Sequence, residues 1–477
     1  MHPQWTMSLP AEARVATDGR QSFAVRCRGE RAIFQRLPAP VRAALEQLAY
    51  PGNRFSALSA TLQRSDTADI RARFLDCLHG LCGRGWLRMS VWYGQQPLAT
   101  LEPTSDAFVL PREDVGEGRC VLSRFAYLRR VGKELVLETP RCAARVILHD
   151  GSVADVVHGL ATPATVAELR QRQPEFPAES LAPLVALLHS AELLSPVGAE
   201  GAAEDEDPQL LSWEFHDLLF HARSREGRHD APVGNTYRLA GVLDPPPATK
   251  PVSAGAAVDL ARPDPAELEA RDPPFARVVE QRRSLRQYAA EPMTAAQLGE
   301  FLYRVAAVRQ RWEYDAYTPL GVMPVEATLR TYPSGGALYP LEIYPLVQAC
   351  VPLQPGLYHY DPLEHRLGQL SGLTSGIRQL IEQAGAAAAI PGRSVQVLLV
   401  VTARFQRVAW KYSSLAYALI LKDLGGLVQN MYLAATAMGL APCALGAGNS
   451  DLFAWASGID YYAEGSVGEF LLGSKSS

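Results

Sequence analysis

A Pro-Ser-Gly-Gly turn at residues 333–336 constrains this chain more than any other segment. Arg330 precedes the turn, and the run LEIYPLV at 341–347, rich in branched and aromatic residues, predicts a β-strand after it. Two glycines after a proline predict a tight turn whose backbone can approach another group closely. Such a turn suits a flat ring with polar edges, but it also occurs in ordinary hairpins. The segment alone leaves both interpretations open.

A second segment, QRRSLRQY at residues 281–288, places three arginines and a serine within five positions. Planar guanidinium groups bind phosphate oxygens through paired hydrogen bonds, and a serine hydroxyl adds a donor. A solvated basic patch at a helix end is the other explanation. Its position ahead of the Pro-Ser-Gly-Gly turn favours the phosphate end of one shared cofactor site.

Four motifs together resemble the flavin-dependent nitroreductase superfamily: RRSLRQY, RTYPSGGALYPLE, WKY and GLAPCALGAG. More narrowly, they are similar to the SagB-type azoline oxidases that act on ribosomally made peptides, including the cyanobactin thiazoline oxidases. The resemblance covers the chain from about residue 277 to the C-terminus and extends over the N-terminal half. It implies an α+β, nitroreductase-like domain at 277–477 that binds FMN at the boundary of a homodimer. The stretch from Ala416 to Met438, apolar on more than one face, predicts a helix buried in a core or an interface, and the resemblance implies that it is the central helix of that dimer.

The resemblance also assigns site residues. Lys411 and Tyr412, in the WKY motif, are the expected catalytic pair, with the lysine as base and the tyrosine sharing or relaying the proton. The serines and alanine that follow them depart from the family pattern, which often has glycine and arginine there, so substrate contacts at this point stay open. The expected cofactor contacts are Arg282, Arg283, Ser284 and Arg286 at the phosphate and ribityl end, Pro333, Ser334, Gly335, Gly336 and Ala337 at one edge of the ring, and the backbone of Leu445 and Gly446 at another.

The N-terminal half contains an apparent repeat of strand-like runs, helical stretches and a closing strand. This order predicts two winged-helix-like modules at 1–100 and 101–200, followed by a connector helix and a Pro-rich, extended linker at 201–276. The helices carry little positive charge, which disfavours DNA binding. The resemblance points instead to a peptide clamp, in which a substrate segment adds a strand beside the wing. A pair of packing or dimerisation modules is the alternative.

Composition excludes several functional classes. The 477 residues carry a formal net charge of −4 without a long block of one sign, so no nucleic-acid partner is predicted. No apolar run is long enough to span a membrane. The seven cysteines are scattered without a CxxC pair, and His216 and His221 lie five positions apart, so no metal site is expected. Free thiols indicate a cytoplasmic protein.

The expected activity is FMN-dependent dehydrogenation of thiazoline or oxazoline rings in a ribosomally synthesised peptide, giving thiazole or oxazole, with O₂ as electron acceptor. The expected partners are an azoline-containing precursor peptide and a second copy of the chain, and association with a cyclodehydratase is open. Two other functions also stay open: an NAD(P)H-dependent nitro or quinone reductase, and a non-catalytic peptide-binding scaffold.

Overall fold

The computed structural model describes residues 5–18, 22–63, 68–110, 118–198, 201–251 and 256–476. The chain divides into two compact units, Met1–Ala231 and Pro232–Ser477, called unit 1 and unit 2. The division falls inside the segment 201–276 that the sequence suggests as a connector. Among the described residues, no helix is both long enough and apolar enough to cross a lipid bilayer. All seven cysteine thiols are free and buried.

Unit 1 combines short strands with helices. Its strands are β1 (Thr6–Ser8), β2 (Arg14–Asp18), β3 (Ser22–Cys27), β4 (Glu30–Phe34), β5 (Asn53–Arg54), β6 (Arg88–Tyr93), β7 (Gln96–Pro103), β8 (Cys120–Leu122), β9 (Tyr127–Val131), β10 (Glu134–Glu138), β11 (Ala144–Leu148) and β12 (Leu194–Pro196). Its helices are α1 (Ala39–Glu46), α2 (Phe55–Gln63), α3 (Ala68–Cys82), α4 (Gly151–Gly159), α5 (Val166–Arg172), α6 (Ala178–Ser190), α7 (Ala203–Glu206), α8 (Pro208–Leu211) and α9 (Phe215–Arg223).

The strand and helix order of unit 1 recurs. Strands β3 and β4 precede three helices and strand β6, and strands β9 to β11 precede three helices and strand β12. Strands from both halves join one seven-stranded sheet in the order β5-β1-β6-β7-β11-β10-β9. One hydrophobic core also extends from Trp5 to Leu194. Because sheet and core are shared, the division into two winged-helix modules stays a prediction.

Unit 2 contains the motifs that predict a cofactor site. Its strands are β13 (Gly234–Asn235), β14 (Ala257–Asp259), β15 (Gln310–Thr318), β16 (Gly321–Leu329), β17 (Leu341–Val347), β18 (Gly356–Asp361), β19 (Arg366–Gly372), β20 (Val397–Arg404), β21 (Tyr412–Ser413), β22 (Leu440–Leu445) and β23 (Glu464–Ser474). Its α-helices are α10 (Pro265–Arg271), α11 (Phe275–Gln281), α12 (Ala295–Ala306), α13 (Ser375–Ala387), α14 (Phe405–Ala409), α15 (Ala416–Ala437) and α16 (Ser450–Ser457), with 3₁₀ turns at Gly335–Ala337 and Gly392–Ser394.

A seven-stranded antiparallel sheet forms the centre of unit 2, in the order β14-β19-β18-β17-β20-β23-β22. Its strand β20 is apolar at nearly every position because helices cover both faces. Leu399 and Val401 pack in the core that contains helices α12 and α15. Leu398 and Val400, which point the other way, pack in the core that contains helices α13 and α16. The sheet thus separates two hydrophobic layers, and the 333–336 turn leads into its strand β17.

The Pro-rich segment predicted as an extended linker contains both a strand and a helix. Strand β14 pairs with β19 at the edge of the sheet, and helix α10 follows it. The backbone carbonyls of Pro247 and Ala248 accept hydrogen bonds from Arg404. The linker assignment stays a prediction, and helix α10 is where the described part of this segment departs from an extended conformation. Residues 252–255 of the segment lie outside the described residues.

Candidate active site

The 333–336 turn is fixed by a buried carboxylate on helix α15. Asp423 accepts a hydrogen bond from the Ser334 hydroxyl at 2.5 Å and another from the Gly335 N–H at 3.0 Å. The Ser334 oxygen also accepts from the Tyr339 N–H at 2.9 Å. Burial raises the pKa of Asp423, and the two donated hydrogen bonds offset part of that rise. The hydroxyl and the amide predicted to face a ligand are therefore engaged within the protein, where they set the shape of the turn.

Gly336 brings the turn against the two predicted catalytic side chains. Its φ of +64° lies in the left-handed region that glycine adopts readily. A Cβ at this position would lie 2.7 Å from the Tyr412 hydroxyl oxygen and 3.0 Å from the Lys411 Nζ. The amine and the phenol thus both lie against the backbone of this turn. Sequence motifs that are about 75 positions apart meet here, as the resemblance implies for one site.

Lys411 is buried among aromatic rings, with 9% of its surface exposed. Its Nζ donates a hydrogen bond to the Tyr314 hydroxyl at 3.2 Å. The same nitrogen lies 5.2 Å from the ring centre of Tyr314, 5.5 Å from that of Tyr412 and 6.0 Å from that of Tyr237. No carboxylate forms an ion pair with Lys411 among the described residues. An amine without a counter-ion in a partly apolar pocket is suited to exchange a proton with a substrate.

The predicted phosphate end lies at the other end of helix α15. The Ser284 hydroxyl and the Tyr432 hydroxyl lie 2.7 Å apart, and Tyr432 also accepts from the Ala444 N–H at 2.8 Å. The guanidinium of Arg282 lies over the Tyr432 ring at 5.2 Å. The Leu285 N–H donates to the Pro442 carbonyl at 2.8 Å. The arginine segment is therefore tied to strand β22, which carries the Gly-rich motif.

The remaining predicted contacts are accessible to a ligand. Arg283 and Arg286 are exposed, and within the described parts of the chain none of the three arginines of this segment pairs with a carboxylate. Gly446 is also exposed, and no atom lies within 4 Å of where its Cβ would be. Leu445 lines a cavity of about 480 Å³ together with Glu469 and residues of helix α13.

An elongated cofactor with an anionic tail and a planar head fits these residues. Asp423 and Tyr432 are nine positions apart on helix α15, which places the two groups of predicted contacts about 13 Å apart along its axis. The tail end offers guanidinium groups without carboxylate partners. The head end offers a glycine turn next to an amine and a phenol. The donor chemistry at both ends is that of a flavin phosphate site.

A buried ion-pair network supports the strand that follows the turn. Glu342 on β17 receives a hydrogen bond from His359 at 3.1 Å and pairs with Arg404 at 3.0 Å. Burial alone would raise the pKa of Glu342, but Arg404 and His359 lower it to about 2. Arg330, the fixed positive charge of the motif, is buried and donates to the Leu341 carbonyl at 3.2 Å. These contacts hold the base of the turn in place.

Three residues that lie near the predicted site were not predicted from the sequence. Asp423 carried a usable signal, since a carboxylate on the buried side of an apolar helix needs donors. Tyr432 carried none, because a tyrosine in a largely apolar helix is usually a core residue. Tyr314 carried none either, because it lies in a strand where polar and apolar residues alternate.

Comparison with known proteins identifies both parts of the chain. The nitroreductase family model matches residues 279–473, and the model of the cyanobactin oxidase ThcOx matches residues 120–230. Residues 279–473 thus match the nitroreductase family, and the match covers less than half of the chain. The predicted enzyme class, a flavin-dependent oxidoreductase, is confirmed by these matches. The ThcOx match also confirms the resemblance to azoline oxidases of peptide-processing systems.

Individual relatives match this chain over parts of their length. A Methanocaldococcus jannaschii protein named as a candidate nitroreductase is 29% identical over 199 residues, 40% of this chain and 86% of that protein. The trifolitoxin-processing protein TfxB of Rhizobium leguminosarum bv. trifolii is 29% identical over 113 residues, 23% of this chain and 30% of TfxB. The match therefore spans less than a third of TfxB. A solved E. coli microcin synthetase McbBCD complex, with truncated pro-MccB17 bound, aligns at 19% identity over 57% of this chain and 95% of that chain, with a TM-score of 0.32.

Proposed function

We propose that this oxidoreductase dehydrogenates thiazoline or oxazoline rings in a ribosomally made peptide to thiazole or oxazole. The observation that carries the proposal is the meeting of the Lys411 amine and the Tyr412 hydroxyl at Gly336. The ThcOx match, and the name of the TfxB relative, support a peptide as the substrate class.

In this proposal the protein supplies the base and the orientation. The Lys411 amine, in its neutral form, accepts the proton from the ring carbon of the azoline, and Tyr412 shares or relays that proton. Bound FMN would supply the acceptor for the remaining hydrogen and its electron pair, with O₂ as the final acceptor. The burial of Lys411 among tyrosine rings limits the access of water to the amine.

The cofactor contacts are proposed as the sequence suggests. Arg282, Arg283, Ser284 and Arg286 hold the phosphate and ribityl end, and the backbone of Leu445 and Gly446 faces the ring. Of the turn residues, Pro333, Gly336 and Ala337 line the ring edge, while Ser334 and Gly335 act through Asp423 by fixing the conformation of the turn.

Unit 1 is proposed to hold the precursor peptide as a clamp built from winged-helix-like modules. Strand β9 lies at one end of the seven-stranded sheet, and its central residues are exposed. An edge strand offers unpaired backbone groups to which an extended peptide can add a strand. Removing the flanking segment of the precursor should therefore raise KM more than it lowers kcat, and an unchanged KM would contradict the clamp.

Association with a cyclodehydratase would deliver the azoline and is testable by co-purification.

A homodimer is proposed on the exposed face of helix α15. Tyr417 and Leu421 are 46% and 36% exposed on that face. Gly425 lies one turn further along, where an added Cβ would meet no atom within 4 Å. Apolar residues on an exposed helix face are typical of an interface between subunits. Sedimentation velocity should give a dimer for the wild-type chain and a shift towards monomer for Leu421→Asp. A monomeric wild type would contradict this part of the proposal.

The activity is tested by mass spectrometry of a thiazoline-containing peptide after incubation with the enzyme. The product should be lighter by about two mass units, the mass of two hydrogens. Lys411→Ala should abolish this loss while the protein keeps its flavin absorbance. The matched control is Lys422→Ala, which removes an exposed lysine from the adjoining helix α15. Full turnover by Lys411→Ala would refute the assignment of the base.

The nitroreductase match makes an NAD(P)H-dependent reductase the main rival. Rapid bleaching of the flavin by NADPH, together with an unchanged peptide mass, would favour the reductase. Colourless protein that still binds the peptide would favour a scaffold without catalytic activity.

A further inference from the structure

The Lys411 amine has one hydrogen-bonding partner in the described part of the chain, the hydroxyl of Tyr314 at 3.2 Å. A lysine side chain has four rotatable bonds, so burial alone does not fix where its nitrogen lies. The centres of the other two rings around the amine, those of Tyr237 and Tyr412, lie 6.0 Å and 5.5 Å from it, and in the described part of the chain neither hydroxyl is hydrogen-bonded to the amine. A face attracts a cation without fixing its direction. The Tyr314 hydroxyl is thus the directional contact.

Tyr314 is itself held firmly. It lies on strand β15, where it pairs with Val325 of strand β16 in a hairpin of nine residue pairs. Its ring packs in a small core with Tyr237, Ala316, Val325 and Trp410. Trp410 directly precedes Lys411, and its indole N–H donates to the Leu243 carbonyl at 2.8 Å. The backbone of the lysine and the ring that holds its amine are therefore anchored in one cluster.

The chemical state of Tyr314 suits this position. Burial raises the pKa of its phenol, and Arg407 lowers it by a smaller amount. The hydroxyl therefore keeps its proton at neutral pH. A protonated phenol can accept a hydrogen bond from an ammonium group and can donate one to the lone pair of a neutral amine. It can hold the amine in both states of a base.

We propose that Tyr314 is a positioning residue for Lys411: its hydroxyl holds the amine beside Gly336, where a substrate ring would be deprotonated. The β15–β16 hairpin, which carries none of the sequence motifs, thereby becomes part of the catalytic site. This inference rests on the proposed role of Lys411 as the base.

The test compares Tyr314→Phe, which removes only the hydroxyl, with Tyr317→Phe. Tyr317 lies on the same strand, three positions along, and is 79% exposed. Tyr314→Phe should lower kcat about tenfold, the effect of losing a hydrogen bond to a charged group. The KM for the peptide, the flavin content and the melting temperature should stay at their wild-type values. Tyr317→Phe should behave as wild type in every respect.

A second measurement does not depend on turnover. Limited acetylation with acetic anhydride, followed by peptide mass spectrometry, reports how freely the Lys411 amine reacts, with Lys422 as internal reference. Loss of the hydrogen bond should speed acetylation of Lys411 about fivefold in Tyr314→Phe. Tyr317→Phe should leave that rate unchanged.

The outcomes separate this inference from the proposed function. Equal acetylation rates in Tyr314→Phe and wild type would overturn the positioning role, whatever the activity. Wild-type kcat in Tyr314→Phe, with Lys411→Ala inactive, would overturn it and leave the proposed function standing. Loss of flavin or a lower melting temperature in Tyr314→Phe, with unchanged acetylation, would show a purely structural role and overturn it too. A wild type that acetylates as expected but does not oxidise the peptide would refute the proposed function alone.

Discussion

Replacing Gly336 by alanine perturbs the contact on which the proposed site depends. The added Cβ would lie 2.7 Å from the Tyr412 hydroxyl oxygen and 3.0 Å from the Lys411 Nζ. Because non-bonded heavy atoms prefer about 3.5 Å or more, the phenol must retreat by about 0.8 Å and the amine by about 0.5 Å. A displacement of about 1 Å at a reacting group can cost about a hundredfold in rate. We expect kcat to fall about ten- to a hundredfold in Gly336→Ala.

The accompanying loss of stability should be small and can be matched by a control. An L-residue in the left-handed region costs roughly 1–2 kcal/mol. The clash is confined to the ends of two side chains, the Tyr412 phenol and the Lys411 amine, and involves no backbone atom. Gly439, just after helix α15, has a φ of +66° and no atom within 4 Å of its Cβ direction. Gly439→Ala therefore carries the same backbone strain without touching the amine or the phenol.

The two variants are compared by peptide mass spectrometry for turnover and by urea unfolding for stability. Both should lose a similar free energy of unfolding, and only Gly336→Ala should lose turnover. Wild-type turnover by Gly336→Ala would mean that Lys411 and Tyr412 do not act at this turn, and the site would have to be sought elsewhere. Equal losses of turnover in both variants would show that strain, and not displacement, is responsible.

Two further predictions concern the support of the turn. Ser334→Ala and Asp423→Ala should each lower the free energy of unfolding, measured in urea, by about 1–3 kcal/mol. The double variant should lose less than the sum of the two single losses, because the two residues share a hydrogen bond. Additive losses would contradict that bond. Glu342, whose pKa lies at about 2 against an ordinary 4.5, stabilises the fold by roughly 3 kcal/mol while ionised, and that contribution should disappear as the pH falls from 4.5 to about 2. Glu342→Gln should show a flatter fall in stability over this interval, and an equally steep one would contradict the ion pair with Arg404 and the hydrogen bond with His359.

The sequence predicted what local backbone chemistry determines. Proline and paired glycines specify the 333–336 turn, and a long, largely apolar stretch specifies the long helix, expected at 416–438 and observed at Ala416–Ala437. The strand after the turn was predicted for the same reason, since branched and aromatic residues favour a pleated, buried surface. Lys411 and Tyr412 were assigned by resemblance; both lie beside Gly336, and their catalytic role stays a prediction.

Contacts between distant segments could not be read in the same way. The β15–β16 hairpin alternates polar and apolar residues with a proline at position 324, and nothing in that pattern tells which residue it will face. Tyr314 reaches Lys411 only because the register of the hairpin turns its ring inward. The engagement of Ser334 by Asp423 likewise depends on how helix α15 lies against the turn. Such pairings are set by tertiary packing and not by local sequence.

The packing of the Pro-rich segment on unit 2 bears on how small an active fragment of this chain can be. A fragment cut at residue 279, where the nitroreductase match begins, would lose strand β14 and Lys250. The Lys250 ammonium lies 2.6 Å from the Glu464 carboxylate and 2.6 Å from the Tyr344 hydroxyl. Without Lys250, the buried Glu464 carboxylate would lose its ion-pair partner. Arg404 would lose the Pro247 and Ala248 carbonyls, which accept its hydrogen bonds. The stretch that matches the nitroreductase family, residues 279–473, is therefore too short to fold by itself. Expression trials should begin near residue 232, where unit 2 begins.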